Sequence, residues 1–411
     1  MIRSARPRRS GNCCATFHVA AYSQIADSVR PRNVAGRFVR RAQNVRLWIK
    51  LRRGVPHSRA SVPWRGDARP TMPSGAHRAR LSVYMKAVVY DRYGPPDVLR
   101  IEEVGRPAPR DDELLVRVRA TTVNRFDCHT REANRSNGLV ISGVSRLVSG
   151  IRRPRQRILG TEFAGEAEAA GPAVTRFGAG DRVFGNTGLA FGCHAEFTCV
   201  PETARVAPMP EGMGFEEAAA ATDGALNALW CLRLAGPLKG RRVLVYGASG
   251  AIGTAAVQVA KVFGAEVTAV CGPKGVETVT AIGADRVIDY TKEDFTADRE
   301  RYFSVFDAVG KESFAHCRDV IEPGGTYLAT DGPQNLLLGP WTARFGDRKV
   351  KFKLPPRYTQ QDVVLIKELM EAGRYRPVID RVYPIEDVVE AARYVETQQK
   401  IGNVVLAVSD S

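Results

Sequence analysis

The chain has 411 residues, of which 44% are hydrophobic, and a formal net charge of +16. This length allows two or three domains with sizeable buried cores. The sequence has no run of about 18 uninterrupted apolar residues, which argues against a membrane-spanning helix. Its eight cysteines form no C-x-x-C pair, which argues against a disulfide framework or a four-cysteine zinc site and favours a reducing compartment such as the cytoplasm.

Residues 1–84 carry the whole net charge. They hold eighteen of the 60 Lys and Arg residues and only two of the 44 Asp and Glu residues, so the rest of the chain is neutral. This arginine-rich leader has no helical or strand periodicity, and we expect it to be disordered or absent. Three explanations stay open: a start placed upstream of a true start at Met85, an organelle transit peptide, and a basic arm for nucleic acid or anionic lipid.

Residues 85–222 predict a compact β domain. Short apolar or alternating runs are separated by glycine and proline turns, which is typical of strands. These runs lie at residues 85–90, 114–120, 165–169, 181–184 and 195–200. We expect the tail, residues 346–411, to complete this domain with a helix from about residue 359, a strand at 377–383, a helix at 385–398 and a strand at 404–406.

A helical pattern over residues 215–234 leads into residues 223–345, where strands and helices alternate. Alternation at this spacing predicts a parallel, doubly wound sheet. An apolar strand at residues 242–246 runs into the pattern Gly247-x-x-Gly250-x-x-Gly253, followed by a helical pattern over 251–263 and a second strand at 266–271. Gly250 allows the backbone to approach a pyrophosphate, Gly253 allows close packing of helix and strand, and the N–H groups that begin the helix face the phosphates.

The end of the second strand predicts the choice of cofactor. A site for NAD usually places an Asp or Glu there to bind the ribose hydroxyls. This chain has Cys271-Gly272-Pro273-Lys274 instead, so no carboxylate repels a 2′-phosphate and Lys274 is available to bind it. NADPH is therefore the predicted cofactor, and the hydroxyl of Tyr290 is a further candidate contact.

Several segments between Met85 and Val408 resemble the medium-chain dehydrogenase/reductase superfamily, and particularly its zinc-free quinone oxidoreductase branch. They are residues 85–96, Val123-Asn124-Arg125-Phe126-Asp127, residues 158–165, the glycine turn and residues 283–290. The resemblance implies an α/β protein with a GroES-like β domain, a Rossmann domain and homodimers that join Rossmann sheets edge to edge. It also implies hydride delivery from NADPH to a quinone or an α,β-unsaturated carbonyl.

Two positions that hold zinc ligands in the zinc alcohol dehydrogenases of this superfamily read Asn124 and Thr161 here. A catalytic zinc needs about three protein ligands, so we predict no metal. Cys128 or His129 together with Glu162 stays open as an unusual metal site. Without zinc, the protein must hold the acceptor near the nicotinamide and offer a hydrogen bond to its carbonyl oxygen. Asn124 is the predicted orienting residue and Asp127 its brace, with a purely structural role for Asp127 left open. His129 is a candidate proton donor.

Further cofactor contacts are expected where parallel strands end and in the tail. Asn227 stands where relatives carry a Thr that lines the nicotinamide site, and Lys400 and Asn403 lie in a segment that in relatives can reach the cofactor phosphate. The predicted cofactor-binding residues are Asn227, Gly247, Ser249, Gly250, Ala251, Ile252, Gly253, Gly272, Lys274, Tyr290, Val309, Gly310, Lys400 and Asn403.

The leading hypothesis is a zinc-independent, NADPH-dependent reductase of quinones or α,β-unsaturated carbonyls. The partner is then a small-molecule acceptor, with no nucleic acid expected. An NADPH-binding sensor or structural protein with little turnover is the first alternative, since a cofactor fold does not guarantee chemistry, and an NAD(P)-dependent alcohol dehydrogenase-like enzyme is the second. An arginine-rich segment at residues 131–157 is expected to rim the substrate cleft. The predicted location is the cytoplasm, or an organelle if the leader is a transit peptide.

Overall fold

The structure is a computed structural model that describes residues 83–132, 150–297 and 299–409. The predicted disorder of the leader up to residue 82 lies outside these residues, as does the placement of residues 133–149 of the arginine-rich segment. No helix among the described residues is long and apolar enough to cross a membrane.

The first half of the described chain is rich in β-structure. Its elements in chain order are β1 (Tyr84–Val89), β2 (Arg100–Gly105), β3 (Glu113–Val123), α1 (Arg125–Arg131), β4 (Glu162–Ala170), β5 (Arg182–Asn186), β6 (Phe197–Pro201) and β7 (Arg205–Pro208). Strands β1 and β2 form a separate antiparallel pair. The longest strand, β3, pairs antiparallel with both β4 and β6, which makes it the centre of this part.

Helices and strands then alternate as the sequence pattern predicts. The elements are α2 (Phe215–Ala219), α3 (Thr222–Ala235), β8 (Arg242–Tyr246), α4 (Ala251–Val262), β9 (Glu266–Cys271), α5 (Val276–Ala281), β10 (Arg286–Asp289), β11 (Tyr302–Asp307), α6 (Phe314–Cys317), β12 (Ile321–Ala329), α7 (Asn335–Phe345), β13 (Lys349–Lys351), α8 (Gln360–Glu371), β14 (Ile379–Pro384), α9 (Val388–Glu396) and β15 (Asn403–Ala407).

Two large sheets organise these elements. One is a parallel sheet with the strand order β10-β9-β8-β11-β12-β13, which is the doubly wound order of dinucleotide-binding proteins. The other has the order β14-β15-β3-β4-β5-β7. The tail enters this second sheet through β15, where Val404 lies opposite Val123 and Ala407 opposite Ala120. The predicted fold class, a β-rich GroES-like domain combined with a Rossmann domain, is confirmed.

A shared apolar core joins the two sheets. Ala120 and Phe184 of the first part belong to the same buried cluster as Leu226 of α3 and Val243 of β8. Burial of each such large side chain contributes about 1.5–3 kcal/mol. Since α3 packs against both parts, its first turn lies at their junction, where ligands of two-domain proteins commonly bind.

The single helix expected over residues 215–234 is in fact two helices, α2 and α3. The break has a tertiary cause, because the N–H groups of Thr222 and Asp223 donate to the carboxylate of Glu162 at 3.1 and 2.6 Å. A carboxylate at these donors satisfies N–H groups at the start of a helix. The sequence near residue 220 gave no sign of a partner about 60 positions away.

Candidate active site

Asn124 and Asp127 hold each other at the start of α1. The Asn124 Oδ1 accepts the backbone N–H of Asp127 at 3.0 Å, and the Asp127 Oδ2 accepts the backbone N–H of Asn124 at 3.1 Å. This capping box orients both side chains and satisfies backbone donors that a helix start leaves without acceptors. The two predicted catalytic residues therefore lie together, and their reciprocal hydrogen bonds fix the orientation of both side chains.

The amide nitrogen of Asn124 faces Thr161, the residue before β4. Nδ2 donates to the Thr161 Oγ1 at 3.0 Å, and both side chains are buried. Because an amide nitrogen carries two N–H bonds, this contact leaves one donor on Asn124. A buried, held donor of this kind can stabilise negative charge on a substrate oxygen.

Asp127 is a fully buried carboxyl with several donors around it. Its Oδ1 accepts the N–H of Gly160 at 3.0 Å, and the His194 Nε2 lies 3.9 Å from its Oδ2. Burial raises the pKa of Asp127, while His194 and the N–H groups of Asn124 and Gly160 act in the opposite direction. His194 itself lies 2.8 Å from the carbonyl oxygen of Thr122, which can only accept, so Nε2 carries a proton. No motif in the sequence pointed to His194.

Glu162 is the other buried carboxyl near this position. Its Oε1 accepts the hydroxyl and N–H of Thr222 and the N–H of Asp223, and its Oε2 accepts the hydroxyl of Thr122. Burial raises its pKa and these donors lower it. The Oε1 contacts thus fix β4 against the start of α3, and the Oε2 contact fixes it against β3.

The residues around Asn124 do not fit a catalytic zinc ion. Such a site takes about three ligands from Cys, His, Asp and Glu, and no group of three that could hold a metal occurs in the part of the chain described by the structure. Cys128 is buried in the apolar core, and the Nε2 of His129 accepts from Arg125 at 2.9 Å. The unusual site that these residues were to form with Glu162 does not assemble.

His129 is held as a neutral imidazole. Burial and the neighbouring Arg125 lower its pKa, and Asp331 and Glu396 oppose this to a smaller extent. A neutral ring that accepts at Nε2 carries its proton at Nδ1. A proton-donor role for His129 would therefore begin from the neutral ring rather than from an imidazolium.

The glycine turn has the geometry that a dinucleotide needs. Gly247 adopts a φ of 73°, and a Cβ on Gly253 would lie 2.1 Å from the carbonyl oxygen of Gly247, so α4 approaches the turn as only glycine permits. Gly250 is the N-terminal cap of α4, and the N–H groups of Ala251, Ile252 and Gly253 have no acceptor within the helix. Such a helix start binds phosphate groups.

The tail reaches this turn. The N–H of Gly402 donates to the carbonyl of Ser249 at 2.8 Å, and Gly402 pairs with Gly250 in an isolated parallel bridge. The neighbouring Asn403 does not use its side chain toward the turn, because its Nδ2 donates to the carbonyl of Val378 at 3.0 Å. Folding therefore brings a segment about 150 positions away in sequence into contact with the glycine turn.

Lys400 is a cation in this loop region. Its Nζ donates to the carbonyl of Gly402, and no carboxylate of the described residues lies within ion-pair distance of it. Burial lowers its pKa from 10.5 to about 8, although Asp223, Asp380 and Glu162 oppose the shift. A partly buried ammonium without a paired carboxylate is suited to bind an anion.

Asp223 carries the opposite perturbation in the first turn of α3. Burial raises its pKa to about 8, with further contributions from Glu162 and Asp127, and Lys400 and Arg205 act against the rise. Its side chain and carbonyl accept from the Nδ2 of Asn227 at 3.3 and 2.9 Å. The other end of the Asn227 amide accepts the hydroxyl of Tyr358 at 2.7 Å.

The residues predicted to select the cofactor gather at the carboxyl ends of β8, β9 and β10. A Cβ on Gly272 would lie 3.1 Å from the hydroxyl of Tyr290, and the side chain of Ser249 packs against Gly275. Lys274 is exposed in the turn Pro273–Gly275. Gly272 thus lies beside Tyr290 and Ser249 beside Gly275, and no Asp or Glu directly follows β9.

Val309 and Gly310 follow β11 beside the glycine turn. A Cβ on Gly247 would lie 2.5 Å from a methyl group of Val309, so the two loops are in contact. The Asp307 Oδ1 accepts the N–H groups of Val309 and Gly310 at 3.1 and 2.9 Å and thereby fixes the loop. Val309 remains 43% exposed, which leaves it available to a ligand.

Comparisons with known proteins agree with this arrangement. The family described as "Alcohol dehydrogenase GroES-like domain" matches residues 110–211, and that described as "Zinc-binding dehydrogenase" matches residues 282–406. The chain is 31% identical to the 2-methylene-furan-3-one reductase of Solanum lycopersicum, over 78% of this chain and 79% of that protein. It is 30% identical to the NADPH-dependent alkenal/one oxidoreductase, chloroplastic, of Arabidopsis thaliana, with the same coverage of both chains.

A solved structure shows the same architecture. The quinone oxidoreductase from Coxiella burnetii superposes with a TM-score of 0.70 at 26% identity, covering 79% of this chain and all of that chain.

Proposed function

The chain belongs to the medium-chain dehydrogenase/reductase superfamily, in its quinone-oxidoreductase-like branch, and we propose that it reduces quinones or α,β-unsaturated carbonyls with NADPH and without zinc. An oxidoreductase of this superfamily needs a nicotinamide cofactor. The preference for NADPH, the absence of zinc and the class of acceptor are our inferences from the site.

The contact between Asn124 and Thr161 carries the proposal. These residues stand where a zinc enzyme of the superfamily needs ligands, and they hydrogen-bond to each other at 3.0 Å. Without a Lewis acid to lower the pKa of an alcohol, alcohol oxidation is unfavoured. Reduction of an activated acceptor mainly requires positioning and one donor to the carbonyl oxygen.

Bound NADPH supplies the hydride. Gly247, Gly250 and the first turn of α4 hold the pyrophosphate in this proposal, and Lys400 adds a positive charge beside it. Ser249, Gly272, Lys274 and Tyr290 would hold the 2′-phosphate, and Asn227, Val309 and Gly310 would border the nicotinamide. Asn403 supports the tail segment rather than the ligand, since its amide is used within the sheet.

Asn124 orients the acceptor. The backbone N–H of Asp127 donates to the Asn124 Oδ1. This contact turns the amide nitrogen of Asn124 toward Thr161. The free N–H bond on that nitrogen donates to the acceptor oxygen as negative charge develops there. The relatives named as reductases of a furanone and of alkenals and enones make such acceptors the first candidates.

The test is oxidation of NADPH by the full chain, after treatment with a metal chelator, against a panel of quinones and enones. We expect turnover that survives the chelator and exceeds turnover with NADH. Tight NADPH binding without turnover would favour the sensor alternative instead. Chelator-sensitive oxidation of alcohols would overturn the zinc-free assignment.

We also propose a homodimer formed beside the Rossmann sheet. Strand β13 ends the sheet among the described residues, and α7 next to it exposes Leu337, Trp341 and Phe345 at 79, 56 and 72%. Apolar groups this exposed commonly mark an interface. Sedimentation should give a dimer for the natural chain and a monomer for a Leu337→Glu/Phe345→Glu double variant, whereas a dimer in both would place the interface elsewhere.

For location, we propose the cytoplasm, with an organelle as the alternative if the leader directs import. The relative from Arabidopsis thaliana is named as chloroplastic, which keeps the alternative open. Sequencing the N-terminus of the mature natural protein decides between them: loss of the leader by cleavage supports import, and a retained or never-translated leader supports the cytoplasm.

A further inference from the structure

Arg205, the first residue of β7, is a half-buried guanidinium without a carboxylate partner. Its Nε donates to the carbonyl of Asn186 at 3.1 Å, and no carboxylate oxygen of the described residues lies within ion-pair distance. Burial lowers the pKa of this side chain, and Tyr358 and Asp223 act in the opposite direction. An arginine withdrawn from water in this way usually has an anionic partner.

The loop after β5 is shaped around this guanidinium. Gly188 adopts a φ of 57°, and a Cβ there would lie 2.2 Å from the Nη2 of Arg205. The carbonyl of Asn186 fixes Nε on the same side. The absence of a side chain at Gly188 therefore leaves room for the guanidinium, whose two terminal nitrogens have no hydrogen-bond acceptor among the described residues.

Arg205 is one of the residues that line an open cavity of about 390 Å³. Arg205, Tyr358 and the first residues of α8, Gln360 and Gln361, line it. The ring of Tyr358 lies 5.9 Å from the guanidinium carbon. The N–H groups of Gln360 and Gln361 begin a 12-residue helix and have no acceptor within it, so the helix start adds positive potential to the cavity.

A series of hydrogen bonds joins the wall of the cavity to residues of the proposed reaction site. The hydroxyl of Tyr358 donates to Asn227, and Asn227 in turn donates to Asp223 at the start of α3. Asp223 is hydrogen-bonded through its N–H to Glu162, beside Asn124 and Thr161. Tyr358 thus contacts both Arg205 and Asn227, and the proposed function places Asn227 on the nicotinamide side.

We propose that Arg205 binds a carboxylate carried by the acceptor, so that the preferred substrates are anionic enones or quinones with an acidic side group. This inference rests on the proposed reductase function. A guanidinium presents two parallel N–H donors to a carboxylate, which gives both affinity and orientation. Neutral acceptors of the same size lack this contact.

The experiment compares 4-oxopent-2-enoic acid with its methyl ester. The acid carries a negative carboxylate at neutral pH, and the ester is uncharged. With the natural chain, kcat/KM for the acid exceeds that for the ester. Arg205→Gln raises KM for the acid about 30-fold, as expected for loss of a charge-assisted contact, and leaves KM for the ester within about twofold. Arg205→Lys has a KM for the acid between those of the natural chain and Arg205→Gln, because an ammonium cannot bind both carboxylate oxygens in one plane.

Arg182→Gln is the matched control. Arg182 is an exposed arginine whose Nη2 donates to the carbonyl of Met213, away from the cavity. This variant should have the same KM and kcat/KM as the natural chain for both the acid and the ester. Gly188→Ala, which pushes a methyl group into the guanidinium, should reproduce the selective loss for the acid if Arg205→Gln fails to fold.

A binding measurement separates the two proposals. The saturated product, 4-oxopentanoate, is titrated calorimetrically into the full chain in the presence of NADP⁺, with no turnover required. Binding that Arg205→Gln abolishes supports the pocket even if no reductase activity is found. Equal kinetics for acid and ester in the natural chain, or equal losses for both in Arg205→Gln, would overturn the carboxylate assignment while leaving the reductase function intact.

Discussion

The carboxylate of Glu162 accepts both the hydroxyl and the backbone N–H of Thr222, at 2.8 and 3.1 Å. Glu162 begins β4 and Thr222 begins α3, so this pair joins the first sheet to the helix that leads into the second. Unsatisfied buried donors cost about 1–3 kcal/mol each. We therefore expect Glu162→Ala to lower the Tm by about 5 °C or more, and Glu162→Gln, which keeps an acceptor oxygen, to lower it less. Equal Tm values for both variants in thermal unfolding would contradict this role.

Asn124 combines a structural cap and a donor, and two variants separate them. Asn124→Ser keeps an N-cap acceptor but removes the amide N–H, so we expect kcat to fall about 100-fold with little change in Tm. Asn124→Ala removes both and should lower the Tm as well, by about 2 °C. The measurement is kcat together with thermal unfolding. An unchanged kcat in Asn124→Ser would show that the Asn124 amide N–H takes no part in the reaction.

Lys274 is expected to discriminate between cofactors. Lys274→Ala should weaken NADPH binding about tenfold through loss of a phosphate contact and leave NADH binding unchanged. Lys292→Ala is the control, since Lys292 is a 75% exposed lysine after β10 that contacts Asp289 at 3.5 Å. Fluorescence titration of both cofactors gives the dissociation constants, and an equal loss for NADPH and NADH would argue against a 2′-phosphate contact.

The lowered pKa of Lys400 gives cofactor binding a pH dependence. Because this pKa is about 8, the ammonium is present at pH 7 and is lost as the pH rises through that value. Affinity for NADPH should therefore decline above about pH 8, and Lys400→Met should flatten the decline and weaken binding about tenfold at pH 7. The Lys274→Ala variant should keep the slope. If NADPH affinity declines equally with pH in Lys400→Met, a group other than Lys400 causes the decline.

The raised pKa of Asp223 makes the stability of the fold depend on pH. Its pKa rises from 3.8 to about 8 on folding, so the folded chain binds a proton that the unfolded chain releases in this window. Stability must then fall as the pH rises from about 4 to 8. Asp223→Asn mimics the protonated carboxyl, and its advantage in Tm over the natural chain should grow across this window. The comparison is thermal unfolding near pH 5 and near pH 8, and a constant difference would disprove the raised pKa.

The break between α2 and α3 illustrates what a local pattern misses. The helical pattern over residues 215–234 predicts a single helix, and the structure divides it where the N–H groups of Thr222 and Asp223 donate to Glu162. His194 and Tyr358 were missed for the same reason, because no short motif contains them. Each acquires its role from a partner distant in sequence: His194 from Asp127 and Tyr358 from Asn227.

The sequence by itself determined the fold class and the position of the glycine turn, because strand and helix periodicity and the spacing of Gly247, Gly250 and Gly253 are local properties. It also identified Asn124 and Asp127, whose capping box spans three residues. Only the tertiary structure decided that Gly402 docks on Ser249, that Lys400 is partly buried with no carboxylate of the described residues within ion-pair distance, and that Arg205 lines a cavity beside α8. These features depend on burial and on contacts between distant segments, and the energies of charged groups change most when folding removes them from water.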